Sequence, residues 1–318
     1  MIIASSPIVA DDLDFVWEVE HVLQIGYDMR EPYFISVGEK LYFFFFKAGT
    51  NPIEFSPDNV YRMQKEESGW SEPEPTAEPG EVMWQFTEEN GTHFVSSYFG
   101  EHYTIDLGSI VQHFNKSIDG INWEAADPEN VISYTGGISE IGFAFDLEGN
   151  LFGVGRNEDG DSSGWGSRTF RADKHFLGKW EWYSERSDPN IYESVRMFRH
   201  ADEIYLIART DPTGTFYIER NESLPESLHH LIDLGAYSTR PHGVALWRMD
   251  KLEGTFDKLL DLPGCGDTAF PSIIRISASK FIVANYSSPL SRCEDWSWFQ
   301  GQVSPLGTGI YFAEIEFS

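Results

Sequence analysis

The sequence is short of cysteine, of metal-binding motifs and of phosphate-binding loops. Only Cys265 and Cys293 are present, and two cysteines in 318 residues do not make a disulfide framework, so whether they pair stays open. No CxxC or HExxH pattern occurs, and the GVG at 153–155 ends a strand pattern without opening a helix. We therefore expect no bound metal and no dinucleotide cofactor.

Basic residues and long apolar runs are also scarce. The 23 Lys and Arg stand against 51 Asp and Glu, for a formal net charge of −28, so duplex nucleic acid is not an expected partner. No apolar run approaches the roughly 20 residues of a membrane span. The first residues lack the basic region and the long apolar region of a signal peptide, so we expect none there. A cytoplasmic protein and a secreted protein without its leader both fit, and the oligomeric state stays open.

The abundant residues favour sheets. Aromatic side chains make up 15% of the sequence, and Gly and Pro interrupt short apolar runs throughout. The run LYFFFF at 41–46 is too apolar for an edge strand, so we expect it to be buried on both faces. ESLPESLHHLIDL at 222–234 predicts one short helix.

A strand–turn–strand pattern recurs five times, at intervals of 53 to 75 residues. The first strands are marked by Glu31, Trp84, Glu140, Glu193 and Thr268. Units of about 50 residues with a third and a fourth strand after each hairpin are typical of a β-propeller. We predict one all-β domain over residues 1–318, a five-bladed β-propeller with four-stranded antiparallel blades.

The ends of the chain and its long loops complete this prediction. Residues 1–14 are expected to be a loose arm, and the strand at 15–23 to close the ring by completing the last blade. Six blades, with an extra one inside 211–260, are the alternative. The links between second and third strands are the long ones, and alternate loops of a meander lie on one face. We therefore expect a functional site where these loops meet, at the mouth of the channel.

One local motif is specific. SIDGINW at 117–123 predicts a turn in which Asp119 accepts backbone N–H groups, Gly120 adopts a conformation that other residues resist, and Trp123 packs beneath. It resembles the Asp-box of sialidase-like propellers. From about Ser117 onward the chain is similar to bacterial proteins of the sialidase superfamily with BNR repeats. The resemblance implies the propeller fold and a structural role for this turn.

The resemblance also implies residues that bind a substrate carboxylate. Arg30-Glu31-Pro32 resembles the phrase that opens sialidases, so Arg30 matches the first of their three arginines. Arg156 matches the second, and Arg209 is a candidate for the third.

The catalytic residues of sialidases are matched only in part. Glu140 corresponds to the glutamate that activates the nucleophilic tyrosine. Phe270 occupies the place of that tyrosine and cannot be a nucleophile; Tyr286 is the substitute that the sequence offers. Glu54 and Asp58 are the candidates for the general acid.

Independently of the resemblance, four acids are expected near the starts of first strands: Glu31, Glu140, Glu193 and Asp267. Acids that converge repel each other, so at least one pKa should rise unless an arginine pairs with it. One neutral and one ionised carboxyl group is what glycoside hydrolysis needs. The alternative is a set of salt bridges that hold blades together.

Aromatic and histidine side chains add further candidates. Trp296 and Trp298 in the last long loop could form a wall on which a sugar stacks, or could pack against a neighbouring loop or subunit. Trp84, in the second repeat, is a further substrate-binding candidate. The insertion at 211–240 brings His229, His230 and His242 to the same face, and the adjacent pair His229–His230 is interpreted as a surface pair and not as metal ligands.

These observations predict a glycan-active enzyme, an exo-acting glycoside hydrolase on an anionic sugar. Glu140 is the general acid or base, with Glu31 or Asp267 as the second carboxylate. Arg30 and Arg156 are expected to hold the anionic group. The alternatives are a non-catalytic carbohydrate-binding propeller and a polysaccharide lyase.

Overall fold

The computed structural model describes residues 1–8, 15–49, 57–100, 110–214 and 224–317. Five antiparallel sheets follow one another along the chain, and a separate two-stranded sheet precedes them. This is the fold of a five-bladed β-propeller, so the predicted fold class is confirmed. By compactness the chain divides into a first unit, residues 1–101 with 115–124, and a second unit, residues 102–114 with 125–318. That the two form one domain stays a prediction.

The strands have the following bounds. The chain begins with β1 (Ile2–Ser5) and β2 (Glu18–Val22). The first blade contains β3 (Asp28–Val37), β4 (Lys40–Ala48), β5 (Pro57–Glu66), β6 (Gly69–Trp70) and β7 (Glu74–Pro75). The second contains β8 (Val82–Glu89), β9 (Thr92–Phe99), β10 (Ile110–Ser117), β11 (Glu124–Ala125) and β12 (Tyr134–Gly136). The third contains β13 (Ile138–Phe145), β14 (Leu151–Asp161), β15 (Gly164–Ala172) and β16 (Glu181–Trp182).

The last two blades carry the described helices. The fourth blade contains β17 (Glu193–His200), β18 (Glu203–Thr210), β19 (Gly243–Asp250) and β20 (Thr255–Cys265), with α1 (Glu226–Thr239) between β18 and β19. The fifth contains β21 (Thr268–Arg275), β22 (Lys280–Ser287) and β23 (Gly309–Glu316), with α2 (Trp298–Val303) before β23. The short helix predicted at 222–234 corresponds to α1. Because the described part of 211–260 holds α1 and strands of the fourth blade, the six-bladed alternative is wrong. No helix among the described residues is long and apolar enough to cross a membrane.

The N-terminal strand has a different partner from the one predicted. β2 pairs with β1, and Ile3 and Leu23 pack against Phe43, Phe45 and Met63 of the first blade. The fifth blade has three strands among the described residues. The prediction that residues 15–23 complete the last blade is therefore wrong, because an alternating pattern specifies a strand but not its neighbour. Residues 2–5 of the predicted loose arm form β1, and residues 9–14 lie outside the described part.

The first strand of every blade is bulged near its start. The ladder shifts register between Arg30 and Tyr33, Met83 and Gln85, Ile138 and Ile141, Glu193 and Arg196, and Ala269 and Ser272. A bulge inserts an unpaired residue and turns its side chain away from the regular pleat. Glu31, Trp84 and Glu140, three of the markers of the sequence repeat, lie within these bulges. The repeat in the sequence is thus also a repeat of a backbone distortion.

The SIDGINW segment forms the predicted turn within the first unit. Asp119 Oδ1 accepts the backbone N–H groups of Ile121 and Asn122, each at 2.8 Å, and these bonds lower the pKa of Asp119. Gly120 has φ +70°, and a Cβ there would lie 2.8 Å from Val37 Cγ2. Trp123 packs edge-on against Phe86. The turn is structural in the sense that the sequence predicted.

Neighbouring blades of the second unit pack face to face. Val154, Val195 and Leu206 are fully buried in a core between the third and fourth blades. Ile207 and Val283 belong to a second core, between the fourth and fifth. Each such side chain contributes about 1.5–3 kcal/mol relative to exposure. These cores fix the spacing between β13, β17 and β21, the three strands that position the polar residues described next.

Candidate active site

Charged side chains from the third and fourth blades form one buried group in the second unit. This charged cluster consists of Glu140 on β13, Arg156 and Glu158 on β14, Glu193 on β17 and Arg209 on β18. All five residues are between 3% and 8% exposed. Residues two apart in a strand share a face, which puts Glu158 beside Arg156. Glu193 and Arg209 are direct partners across the β17–β18 ladder.

Arg156 lies at the centre of the charged cluster. Its Nη1 is 3.3 Å from Glu140 Oε1 and 2.9 Å from Glu193 Oε1. Its Nη2 is 2.5 Å from Glu158 Oε1. One guanidinium thus serves three carboxyl groups. Buried charges without such partners are strongly destabilising, so Arg156 is essential to the arrangement.

Glu193 is held from two further sides. Arg209 Nη1 lies 2.7 Å from Glu193 Oε1. The Tyr237 hydroxyl of α1 donates a hydrogen bond to Glu193 Oε2 and accepts one from Arg209. Arg209 Nε also donates to the carbonyl oxygen of Thr268 at 2.6 Å. Every oxygen of Glu193 therefore has a protein partner.

Burial raises the pKa of two acids of the charged cluster. Burial raises the pKa of Glu140, and the nearby Glu193 carboxylate raises it further, although Arg156 opposes both effects. Burial raises the pKa of Glu158 to about 8, again against the pull of Arg156. The sequence predicted that converging acids would raise at least one pKa. Two guanidiniums shared among three carboxyl groups explain why pairing does not remove the effect.

Asp267 and Tyr286 form the edge of the charged cluster on the fifth-blade side. The Tyr286 hydroxyl donates to Asp267 Oδ1 at 2.9 Å, and Arg209 Nη2 lies 3.5 Å from the same hydroxyl. Burial raises the pKa of Tyr286, so this phenol stays protonated at neutral pH. Phe270, with a left-handed φ of 56°, stacks its ring on Tyr286 at 5.9 Å. Asp267 and Tyr286, which the sequence suggested separately, are thus in direct contact.

The last long loop packs tightly beside Asp267. Cys265 and Cys293 are joined in a disulfide with their Cα atoms 5.5 Å apart, which resolves the question of their pairing. A Cβ on Gly301 of α2 would lie 2.1 Å from the Asp267 backbone nitrogen. Trp296 and Trp298 are half-buried in this loop. The loop therefore contacts the site, and its tryptophans are only partly available to a ligand.

Helix α1 covers the charged cluster from the fourth blade. His242, just after α1, is fully buried with Nε2 3.0 Å from the carbonyl oxygen of Tyr237. Burial and the neighbouring Arg209 and Arg156 charges lower the pKa of His242 to about 2. The surface interpretation of the histidine pair is wrong for His229, which is buried; the side chain of residue 230 lies outside the described part. No group of three or more His, Cys, Asp or Glu side chains in the described ranges could hold a metal ion.

Four described residues that the sequence suggested for the site belong to the first unit. Arg30 is more than half exposed and pairs with Asp28 at 2.6 Å. Glu31 is half-buried in the β3 bulge with φ 50°, and Trp84 is 2% exposed. Asp58, the described candidate for a loop acid, pairs with Lys47 at 2.6 Å, whereas residue 54 lies outside the described part. Their participation in a site stays a prediction.

Sequence reasoning missed Glu158 and Tyr237. Glu158 had a usable signal, because it follows Arg156 by two positions in a buried strand and must share its face. Tyr237 had none, because α1 is an insertion that occurs once and has no counterpart in the repeat. Both contact the residues that the sequence did identify.

Comparison with known proteins shows similarity of fold only. No family model matches the sequence, and no curated protein is similar to it. A protein of unknown function from Dyadobacter fermentans DSM 18053 is similar over 99% of this chain and 87% of its own, at 12% identity and TM-score 0.56. The GH43_1 enzyme from Xanthomonas citri complexed with xylose is similar over 91% of this chain and 87% of its own, at 13% identity and TM-score 0.48. An exo-1,5-α-L-arabinanase from a bovine ruminal metagenomic library is similar over 93% of this chain and 96% of its own, at 12% identity and TM-score 0.48. At these identities and scores, no activity follows for this chain.

Proposed function

We propose that this protein is a glycoside hydrolase with Glu140 as its general acid and Asp267 as its second carboxylate. One observation supports this most directly: Glu140, with a raised pKa, shares Arg156 with Glu193, a carboxylate paired to two guanidiniums. Glycosidic bond cleavage needs one carboxyl group that holds its proton beside others that remain ionised.

Glu140 is suited to give up a proton. Its side chain is 11% exposed, against 5% for Glu158 and 7% for Glu193, so it is the most accessible acid of the three. The Ser194 backbone N–H donates to Glu140 Oε2 at 2.7 Å. This bond and Arg156 are in place to stabilise the carboxylate that remains after the proton passes to the leaving oxygen.

Asp267 is the better partner for this chemistry than Glu193. The oxygens of Glu193 are occupied by Arg156, Arg209 and Tyr237, which suits it to orient its neighbours. Among the described residues, Asp267 accepts one side-chain hydrogen bond, from Tyr286, and this bond fixes the direction of the carboxylate. It would act as the base that activates water or as the nucleophile.

The occupancy of the two guanidiniums favours a neutral sugar over the anionic one that the sequence suggested. Arg156 is already shared by three carboxyl groups, and Arg209 by Glu193, a carbonyl oxygen and two phenols. A substrate carboxylate would have to displace one of these partners, whereas a neutral sugar would not.

The test is hydrolysis of a panel of neutral and acidic alkyl and phenyl glycosides, whose poor leaving groups need a proton, by the wild type, Glu140→Gln and Asp267→Asn. We expect each variant to lose at least about 10²-fold in kcat, the usual contribution of a positioned acid or base. Glu185→Gln, an exposed change in the same unit, should keep the wild-type rate. If the wild type cleaves a substrate and Glu140→Gln retains its rate, the assignment is wrong.

A non-catalytic carbohydrate-binding protein is the second candidate function. It is favoured by the burial of the charged cluster, whose members are satisfied by one another and have little exposed surface. Calorimetry with glycan mixtures separates the two proposals. Binding without turnover that is lost in Trp296→Ala, but kept in Glu140→Gln, would favour the binding protein.

A further inference from the structure

Tyr237 is a buried phenol at the point where α1 meets the charged cluster. It is 7% exposed and lies in the last turn of the helix. Its hydroxyl donates a hydrogen bond to Glu193 Oε2 and accepts one from Arg209 Nη1. The guanidinium carbon of Arg156 lies 5.3 Å from the centre of its ring. One side chain of α1 therefore contacts three members of the charged cluster.

The segment that carries Tyr237 is an insertion whose two ends meet. Thr210 and Gly243 are direct partners across the β18–β19 ladder, so the sheet itself does not depend on residues 211–242. His242 fixes the end of this insertion, because its Nε2 is 3.0 Å from the carbonyl oxygen of Tyr237 and the two ring centres are 4.6 Å apart. A carbonyl oxygen only accepts hydrogen bonds, so the neutral imidazole carries its proton on Nε2. His242 therefore holds Tyr237 in place without adding a charge.

We propose that Tyr237 is a positioning residue for the proton donor: its hydroxyl keeps Glu193 in the carboxylate form, so that the proton of the charged cluster stays on Glu140. The inference rests on the proposed function in one respect, because it takes Glu140 as the general acid. The residue on which the proton resides can be measured without any turnover, so the two proposals can be refuted separately.

Removal of this hydroxyl should weaken the carboxylate form of Glu193. Tyr237 donates to Glu193 Oε2, whereas Arg156 and Arg209 both approach Oε1. An ionised oxygen that is buried and loses its donor is costly, so Glu193 then competes with Glu140 for a proton. Burial raises the pKa of Glu140, and the Glu193 carboxylate raises it further. The second effect is lost once Glu193 is neutral, so the pKa of Glu140 should fall.

The replacement Tyr237→Phe leaves the other charged and titratable groups around Glu140 and Glu193 unchanged. These groups are Arg156, Glu158 and Asp159 on β14, Arg209 on β18, Tyr286 on β22 with its partner Asp267, Asp233 on α1, and His242. The phenyl ring that faces Arg156 is also retained. The variant therefore removes the two hydrogen bonds of one hydroxyl group and keeps the packing of the side chain.

Carbon-13 NMR of the protein labelled at its glutamate carboxyl carbons tests the proposal. The signal of Glu140 is identified by its absence in Glu140→Gln, and its chemical shift is followed as the pH is raised. In Tyr237→Phe the titration midpoint of Glu140 should fall by about one pH unit, the effect of one hydrogen bond to a charged group. Tyr183→Phe is the matched control, because it removes a phenol hydrogen bond to the Lys251 carbonyl oxygen, outside the charged cluster. It should leave the midpoint of Glu140 unchanged.

A double variant tests whether Tyr237 acts through Glu193. Glu193→Gln removes the negative charge and should itself lower the midpoint of Glu140. Addition of Tyr237→Phe should then cause no further shift, whereas a general loosening of the fold would act in either background. An unchanged midpoint in folded Tyr237→Phe or in Glu193→Gln would overturn the proposal. So would an equal shift in Tyr183→Phe, or a full further shift in the double variant.

The pH dependence of hydrolysis gives the corresponding catalytic result. On a phenyl glycoside, Tyr237→Phe should lose at least about tenfold in kcat/KM, with the alkaline limb of its profile at lower pH than in the wild type. A dinitrophenyl glycoside, which needs no proton donor, should retain most of its rate. If the wild type cleaves neither substrate, the proposed hydrolysis fails, while the titration of Glu140 still decides the role of Tyr237.

Discussion

Glu193 and Arg209 face each other in register across β17 and β18, with Arg209 Nη1 2.7 Å from Glu193 Oε1. On one side, Glu193 shares Arg156 with Glu140. On the other side, Arg209 Nη2 lies 3.5 Å from the hydroxyl of Tyr286, which donates a hydrogen bond to Asp267. The two proposed catalytic carboxyl groups are therefore connected through one continuous set of polar contacts, and we expect a change at Glu193 or Arg209 to affect both of them.

Loss of Arg156 should be the most destabilising single change in the charged cluster. Arg156→Met leaves three buried carboxyl groups without their shared cation, and breaking such a buried pair costs about 3–5 kcal/mol of unfolding free energy. Urea unfolding measures this loss. Arg186→Met, at an exposed position of the same unit, should change the unfolding free energy by less than about 0.5 kcal/mol. A loss as small for Arg156→Met would show that the acids do not depend on it.

Glu158 should make stability depend on pH. Its pKa is raised from 4.5 to about 8, so between these values the folded protein binds more protons than the unfolded chain. The contribution of Glu158 is therefore full at low pH and is lost as the pH rises through this window. Unfolding free energies measured from pH 5 to 9 should fall less steeply in Glu158→Gln than in the wild type. The same slope in both proteins would contradict a raised pKa, and Glu185→Gln should retain the wild-type slope.

The disulfide between Cys265 and Cys293 should contribute to stability. It closes a loop of 28 residues, for which the chain-entropy account gives about 3–4 kcal/mol. Under denaturing conditions a thiol reagent should detect no free thiol before reduction and two afterwards. The Cys265→Ser/Cys293→Ser double variant should unfold at lower urea concentration. Two reactive thiols before reduction would rule the bond out.

Gly120 and Gly91 offer a matched comparison in the first unit. Both have left-handed φ angles, +70° and +78°, but only Gly120 lacks room for a Cβ. Gly91→Ala should cost about 1 kcal/mol for the backbone conformation alone. Gly120→Ala should cost more, because its Cβ would collide with Val37. Equal losses in thermal unfolding would mean that packing beneath the turn is loose.

The fold was largely predictable from the sequence because its determinants are local and repeated. The apolar run at 41–46 is buried from Tyr42 to Phe46, as its composition requires, and the markers Glu31, Trp84 and Glu140 fall in bulges of equivalent strands. The partner of β2 was not predictable, because alternation identifies a strand without identifying the edge that it joins.

The candidate site was predictable where it depends on the repeat and not where it depends on an insertion. Glu140, Arg156 and Glu193 occupy equivalent ends of hairpins, and the structure brings them together. Tyr237 comes from α1, for which the sequence gives a helix but no position. The contacts of Arg156 with three carboxyl groups could not be predicted either, because they depend on distances between strands of different blades.

The most direct test of the central claim compares leaving groups in Glu140→Gln. A general acid assists departure of a poor leaving group and is not needed by a good one. The variant should therefore lose at least about 10²-fold in kcat/KM with an alkyl or phenyl glycoside and retain most of its rate with a dinitrophenyl glycoside of the same sugar. An equal loss with both substrates, or no loss with either, would contradict the assignment of Glu140 as the proton donor.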